Sequence, residues 1–382
     1  MKEPQYYKIY KHIINRINSG ELQDGATLET EMELTKQFNV SRVTIRKALE
    51  LLVNEGFLSR QRGKGSVVML NEDTRRNAGL QSHFTPSFSM AGGGQRVIGF
   101  ILPDFSSGFE MKIVEGMEKE AEKHGFFLVM KLTKGDQKLE EKAIRNLLAL
   151  GVTGLIILPQ HGEFYNPVIM ELSIKGFPFV LVDRELRGLK SSFVGTDNIA
   201  AAYQAVQYLY ENGHRNILYL TPPVRNTSAL EDRMEGARSA LDAFNIPCRE
   251  SLFLSDFQST IPMPDSDLLA NMEADKKILI DFFSREKGVT AIFASEYRLA
   301  LLASDVLKEL NLRIPEDISI ICFDSPIDYF GQFSFTHLRQ NEYGMGELAM
   351  EMLNRIIEGE SDIQKKVLPA ELVHGTTTSS VS

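Results

Sequence analysis

What most constrains this chain is a unit that keeps returning from Val97 onward: a short apolar run, then a helical stretch. Val97-Ile98-Gly99-Phe100-Ile101-Leu102 opens the series, Phe109 to His124 carries amphipathic spacing, and Gly125 stops it ahead of Phe126-Phe127-Leu128-Val129-Met130. The runs recur at Leu155-Ile156-Ile157-Leu158, Phe179-Val180-Leu181-Val182, Ile217-Leu218-Tyr219-Leu220, Ala291-Ile292-Phe293-Ala294 and Ile318-Ser319-Ile320-Ile321. Strands with little polar alternation are buried on both faces, and helices of roughly 10 to 20 residues between them make the crossovers of a parallel sheet. About nine such units exceed one comfortable sheet, so residues 96–382 are predicted to form two doubly wound α/β lobes.

Residues 1–70 lack that unit. Tyr6, Ile9, Tyr10, Ile13 and Ile17 keep helical spacing, and Gly20 with Asp24-Gly25 ends it. Thr30, with Glu33 three residues later, has the pattern of a capping box opening a second short helix that runs to Phe38. Ser41 then stands at an N-cap position, and Ile45, Ala48, Leu49 and Leu52 form one apolar stripe. Arg42, Thr44, Arg46 and Lys47 are left facing outward beside the partial positive charge of a helix N-terminus, which suits phosphates or base edges. An ordinary amphipathic helix with a solvated basic face would look the same in isolation. After Asn54-Glu55-Gly56 the period switches to two, over Phe57 to Arg60 and Ser66 to Met69, around a turn at Gln61 to Gly65. Three helices and a basic hairpin predict a winged helix-turn-helix. Gly63-Lys64-Gly65-Ser66 lacks the upstream glycine of a phosphate loop and sits in a hairpin. A wing tip fits it better, with Gly63 letting the backbone approach DNA while Arg62 and Lys64 reach phosphates or the minor groove.

The net charge of -9 argues against nucleic acid until it is divided along the chain. Residues 1–70 hold 11 Lys+Arg against 8 Asp+Glu, a balance of +3, which leaves -12 for the remainder. Basic character is confined to the head, and the acidic body is expected to keep off DNA. Met1 to Asn18 is studded with charge and has no apolar core like that of a secretory signal. No apolar run approaches the roughly 18 residues of a membrane helix. Cys248 and Cys322 lie far apart, outside any metal-binding pattern. A cytoplasmic location, unpaired thiols and no membrane association are the expectation.

The head resembles the DNA-binding domain of the GntR family of bacterial regulators. The motifs are Leu28-x-x-Glu31-x-Glu33-Leu34, then Phe38-x-Val40-Ser41-Arg42-x-Thr44-Ile45-Arg46-x-Ala48-Leu49, then Gly56-x-Leu58-x-x-x-x-Gly63-x-Gly65. The resemblance implies DNA contacts from Ser41, Arg42, Thr44 and Arg46 and from the wing residues Gly63 and Lys64. Two positions depart from it: Glu29, usually proline, and Met32, where some members place a DNA-contacting arginine. Residues 71–95, rich in Asn, Ser, Thr, Gly and Arg, show no period and are expected to be a flexible linker. Its root-mean-square reach of roughly 25 to 30 Å is comparable with the ~34 Å between half-sites one turn apart.

In doubly wound folds ligands sit beyond the carboxyl ends of the strands. Asp104-Phe105-Ser106, Asp183-Arg184, Asp197-Asn198 and Asp324-Ser325 fall there. Singly, each Asp reads as a helix cap or turn residue. Together, carboxylates, amides and a guanidinium with aromatic neighbours supply the bidentate hydrogen bonds and apolar face that a sugar needs. The body also resembles the effector domain of the LacI/GalR family, itself similar to periplasmic sugar-binding proteins. The matching pieces include Ile98-Gly99-x-Ile101-x-Pro103-Asp104, Pro178-x-Val180-x-Val182-Asp183-Arg184, Gly213-His214-Arg215-x-Ile217, Arg233-x-x-Gly236, Ile314-Pro315-Glu316-Asp317-Ile318-Ser319-x-x-x-Phe323-Asp324 and Leu338-Arg339-Gln340. The resemblance implies ligand contacts from Phe105, Phe109, Asp183, Arg233 and Asp324; Arg184 and Glu296 complete the candidate set. Glu296-Tyr297 stands where the family usually has an Asn-Asp pair, so an amide contact has become a carboxylate. The short hinge helix that usually follows the DNA domain in that family is not visible here.

Three functions compete. A ligand-responsive transcriptional regulator, most simply a repressor, would bind an inverted-repeat operator as a homodimer and answer to a small sugar-like effector. A sugar-binding transport component would need an export signal and has no use for a basic head. An enzyme would need a catalytic constellation, yet the chain has no metal-ligand cluster, no GxSxG and no phosphate loop, and its seven histidines are scattered. His214, in a Gly-His-Arg turn, reads as structural. The regulator is therefore preferred, as a non-enzyme with no cofactor and no metal.

Overall fold

The computed structural model describes residues 5–18, 21–54, 57–61, 65–69, 96–105, 108–162, 166–262, 265–326 and 334–381. The chain divides into two compact units, residues 1–85 and 86–382. The expected linker at 71–95 and the wing residues Arg62, Gly63 and Lys64 lie outside the described residues.

The first unit contains α1 (Gln5–Asn18), α2 (Glu31–Phe38), α3 (Arg42–Asn54), β1 (Leu58–Gln61) and β2 (Gly65–Val68). Ile9, Ile13, Leu34, Ile45, Ala48 and Leu52 are fully buried, so the apolar stripes of the three helices meet in one small core. The capping box forms: the Thr30 amide donates to the Glu33 carboxylate at 2.8 Å while the Thr30 hydroxyl accepts from the Glu33 amide at 3.3 Å. Asn39, left-handed at φ 50, ends α2 and makes the tight turn into α3. Strands β1 and β2 pair antiparallel from Leu58↔Val68 to Gln61↔Gly65, one residue further toward the tip than the alternation suggested. An added bridge between Thr27 and Val67 ties the hairpin to the segment before α2.

The second unit has two lobes. Lobe 1 opens with β3 (Arg96–Leu102), α4 (Phe109–His124), β4 (Phe126–Leu132), α5 (Gln137–Leu150), β5 (Gly154–Ile157), α6 (Pro167–Lys175), β6 (Phe179–Val182) and β7 (Ser192–Thr196). Lobe 2 follows with α7 (Asn198–Glu211), β8 (Ile217–Leu220), α8 (Ser228–Ala243), β9 (Phe253–Leu254), α9 (Asp265–Arg285), β10 (Ala291–Ala294), α10 (Tyr297–Glu309), β11 (Ser319–Phe323) and β12 (Thr336–Arg339). The chain returns to lobe 1 as α11 (Glu342–Ile357) and β13 (Lys365–Leu368), then reaches lobe 2 again with β14 (Glu371–Val373). The sheet orders are β13-β7-β6-β5-β3-β4 and β14-β12-β11-β10-β8-β9, parallel throughout except for the β12–β14 pair. The backbone therefore passes between lobes after Thr196, after Arg339 and after Leu368.

Alternating side chains of each strand bury on opposite faces, as fully covered parallel sheets require. Ile98 and Phe100 pack with Ile113 of α4 and Leu353 of α11, whereas Ile101, Leu155 and Ile157 pack with Ile144 and Leu172 of α5 and α6. Leu218, Ile292 and Ile320 face α9 and α10; Tyr219, Phe293 and Ile321 face α7 and α8. Helix α11 lies so close on α4 that a Cβ on Gly116 would sit 2.1 Å from the Tyr343 carbonyl oxygen, and one on Gly346 2.1 Å from that of Ile113. Only glycine permits that approach, and it fixes the start of α11 at the second crossover. No helix among the described residues is long and apolar enough to cross a membrane.

Candidate functional sites

Between the lobes lies a cleft of about 710 Å³ of empty space, its open mouth included. Five carboxylates line it, Asp104, Glu110, Asp183, Glu296 and Asp324, against the three guanidinium groups of Arg184, Arg233 and Arg298. Asp183 and Asp324 occupy matching places, each the first residue past a strand end in its own lobe. Both are left-handed, at φ 64 and φ 57. The Asp183 amide still donates to Val194 O at 2.8 Å and that of Asp324 to Leu338 O at 3.0 Å, so the sheet holds each backbone while the turn aims the side chain into the cleft.

Arg233, on α8 and only 6% exposed, anchors the floor. Its Nε donates to Asn198 Oδ1 at 2.7 Å, Nη1 to Ser295 O at 2.7 Å and Nη2 to Gln340 Oε1 at 3.2 Å, and its plane lies 3.8 Å from the Phe323 ring centre. Gln340 is the meeting point. Its Oε1 also accepts from Thr196 Oγ1 at 2.6 Å, and its Nε2 donates to Asp324 Oδ2 at 2.6 Å. Thr196 and Asn198 flank the first crossover and Gln340 opens the second, so the cleft floor is wired to the strands about which the lobes would turn. Burial pushes the Asp324 carboxyl up, and the Arg233 charge and Gln340 hydrogen bonds pull against it.

Glu296 occupies the N-cap position of α10, in extended backbone, but its side chain does not cap the helix. It is half-buried instead, near Thr260; burial pushes its carboxyl up, opposed by the charges of Arg233, Arg184 and Arg298. Glu342, first in α11, is pushed up to about 7 by burial, with the nearby Asp324 carboxylate adding to the effect. A carboxyl raised in the folded state favours folding at low pH, and the advantage is lost as pH rises from its ordinary 4.5 through about 7. Glu342→Gln is therefore expected to melt above the parent protein at about pH 8 and level with it near pH 4, measured as melting temperature against pH.

The lobes touch on two sides of the cleft. The Gly162 amide donates to Thr227 Oγ1 at 2.8 Å and the Glu185 amide to Ser228 Oγ at 2.7 Å, while Arg187 pairs with Glu231 at 2.9 Å and also with Asp232. All three contacts seize the N-terminal turn of α8. On the other side, a Cβ on Gly135 would meet the Pro262 carbonyl oxygen at 2.4 Å. Asp275, buried on α9, holds that lobe 2 loop by accepting from the amides of Gln258 at 3.1 Å and Ser259 at 2.8 Å.

Of the expected ligand contacts, Phe109, Asp183, Arg184, Arg233, Glu296 and Asp324 converge on the cleft. Phe105 is 37% exposed and is not among the lining residues. Thr260, Arg298 and Gln340 are not among the expected contacts, although Gln340 ends one of the motifs shared with the LacI/GalR family. Gln340 directly follows β12, so the strand-end rule could have found it; Thr260 lies in an irregular loop that carries no such signal. His214 bridges Thr290 Oγ1 at 2.9 Å and Ser379 O at 3.0 Å, which ties its turn to two other segments of the chain.

On α3 the Ser41 hydroxyl accepts from the Thr44 amide at 3.2 Å and lies 2.8 Å from the Thr44 hydroxyl, which locks the start of the helix. Arg42, Arg46 and Lys47 are exposed. Arg46 is held 3.3 Å from Glu31 of α2, and the Lys47 ammonium lies 4.5 Å over the Tyr6 ring. Val43, 78% exposed between Arg42 and Thr44, places there an apolar group of the kind suited to a thymine methyl. Glu29, where proline is usual, pairs with Arg16 of α1 at 2.7 Å, so that departure serves the packing of the head.

Comparison with known proteins agrees with this two-part layout. Residues 98–361 match the periplasmic binding protein domain family, and residues 5–68 match the gntR family of bacterial regulatory proteins. The arabinose metabolism transcriptional repressor of Halalkalibacterium halodurans is 24% identical over 364 residues, covering 94% of this chain and 90% of that protein. The repressor of the same description from Geobacillus stearothermophilus is 26% identical over 375 residues, covering 94% of each. A solved LacI family transcriptional regulator from Enterococcus faecium with bound ribose shares 25% identity and a TM-score of 0.62, covering 75% of this chain and 100% of that one.

Proposed function

The chain belongs to the periplasmic binding protein domain family and is a transcriptional regulator with a gntR-type head, and on that premise we propose that it binds a pseudo-palindromic operator as a homodimer under the control of a small sugar-like effector. The observation that carries this reading is the Arg233–Gln340–Asp324 network, which joins the cleft to two of the three crossovers. A ligand that engages Arg233 and Asp324 acts on the same hydrogen bonds that set the angle between lobes, and it shifts the equilibrium by its unequal affinity for the two arrangements. The ribose held by the Enterococcus faecium relative and the arabinose metabolism named in the two repressors support a sugar as effector. Two-fold symmetry in the protein would match inverted half-sites in the DNA. Recognition then falls to Ser41, Arg42, Thr44, Arg46 and Lys47 of the head, joined by Arg62, Gly63 and Lys64 of the wing, and the body's excess of negative charge keeps the rest of the chain off DNA.

The test is a mobility-shift titration of the full chain on an inverted-repeat operator, with and without monosaccharides. Arg46→Ala is expected to lose about 1 to 3 kcal/mol of operator affinity and to relax specificity at one base pair. Wild-type affinity and specificity in that variant would sink the assignment of α3 as the reading helix.

A further inference from the structure

We propose that the effector is a non-anionic polyol and that Glu296 is the residue that turns acids and phosphate esters away, an inference that rests on the effector reading above. The charge inventory of the cleft points this way, with carboxylates outnumbering guanidinium groups. Two of these cations already give part of their donor set to the protein. Arg233 spends Nε, Nη1 and Nη2 on Asn198, Ser295 and Gln340, and Arg184 donates to Pro159 O at 3.1 Å beside the Asp183 carboxylate at 3.6 Å. Arg298 remains, on the first turn of α10, where the free amides of a helix N-terminus would add to its pull on an anion. Glu296 sits immediately before that turn and its charge acts on Arg298 directly.

The geometry of Glu296 is what gives it this role. A residue at the N-cap that accepted from the first-turn amides would satisfy the helix and leave the cleft alone. Its carboxylate makes no such bond and is held among the lining residues with Thr260, Tyr297 and Arg298. An arriving phosphate or carboxylate would meet it at close range in a partly desolvated site, where like charges repel strongly. A neutral polyol meets acceptors instead: its hydroxyls donate to Asp183, Glu296 and Asp324, the pattern that makes a carboxylate-lined site selective for groups that donate.

The experiment uses the full-length protein in thermal-shift and calorimetric titrations at fixed ionic strength. The probes are arabinose, ribose and glucose beside ribose 5-phosphate, glucose 6-phosphate and gluconate. The parent protein is expected to be stabilised by at least one neutral sugar and by none of the anionic probes. Glu296→Gln, close to isosteric, is expected to bind that neutral sugar at least tenfold more weakly and to acquire a response to an anionic probe. Glu296→Asp, which keeps the charge, is expected to go on excluding all three anions even if its shorter arm weakens sugar binding. Stabilisation of the parent by an anionic probe alone overturns the inference and leaves the effector reading standing. A Glu296→Gln variant that matches the parent on every probe also overturns it, and silence of the parent toward the whole set overturns both.

Discussion

Replacing Arg233 with alanine is expected to abolish the response to effector and to lower the melting temperature of the body by roughly 10 °C. The size follows from what the side chain leaves behind. Asn198 Oδ1, Ser295 O and Gln340 Oε1 each lose a donor, and Asp324 loses the positive charge that offsets its burial. Breaking a buried charged network by removing one member costs about 3 to 5 kcal/mol. For a domain of this size each kcal/mol lowers the melting temperature by about 2 to 4 °C. Arg233→Lys keeps the charge but not the planar fork that serves three acceptors at once, so it is expected to recover part of the stability and little of the binding. Thermal denaturation and calorimetric titration with the sugar probes check both parts; a variant with wild-type melting and an intact response would show that the cleft floor lies elsewhere.

How far the sequence revealed this arrangement depends on whether a residue's role is local. Strands β6, β8 and β10 coincide with the runs Phe179–Val182, Ile217–Leu220 and Ala291–Ala294, because burial on both faces leaves a composition that little else produces. Strands β7 and β12 read Ser-Phe-Val-Gly-Thr and Thr-His-Leu-Arg and carry no such signature. They are the strands that feed the crossovers, and their polar ends are spent on tertiary hydrogen bonds such as Thr196 to Gln340, 144 residues apart. Asp183, Arg184 and Asp324 were legible because strand ends are where such folds bind, whereas the left-handed turn that aims each carboxylate was not. Arg233 came from a family resemblance alone; nothing in the local pattern of α8 separates it from a solvated arginine. In the head the basic face of α3 was visible, but the contact of Arg46 with Glu31, 15 residues away, and the seat of Lys47 over Tyr6 exist only once the three helices have packed.

Binding and response should come apart at Gln340. Leucine has nearly the volume of glutamine but none of its hydrogen bonds, so Gln340→Leu would leave Thr196 Oγ1, Arg233 Nη2 and Asp324 Oδ2 without this partner. Each buried polar group stranded in this way costs about 1 to 3 kcal/mol, and a charged one more. The cost is borne at the junction of cleft and crossovers more than in the cleft itself. Arg233 keeps Asn198 and Ser295 O, which still fix its orientation, and Asp324 keeps its backbone support from β12. Effector affinity is therefore expected to fall only about tenfold, close to the loss of a single good hydrogen bond. The change in operator affinity that saturating effector produces is a coupling free energy, typically worth about 5- to 150-fold, and this variant is expected to bring it close to one. Operator titrations with and without saturating sugar measure that ratio directly. An undiminished ratio would place the coupling instead in the lobe contacts at the start of α8, where Arg187 meets Glu231 and Asp232, and Arg187→Ala would then be the variant that uncouples.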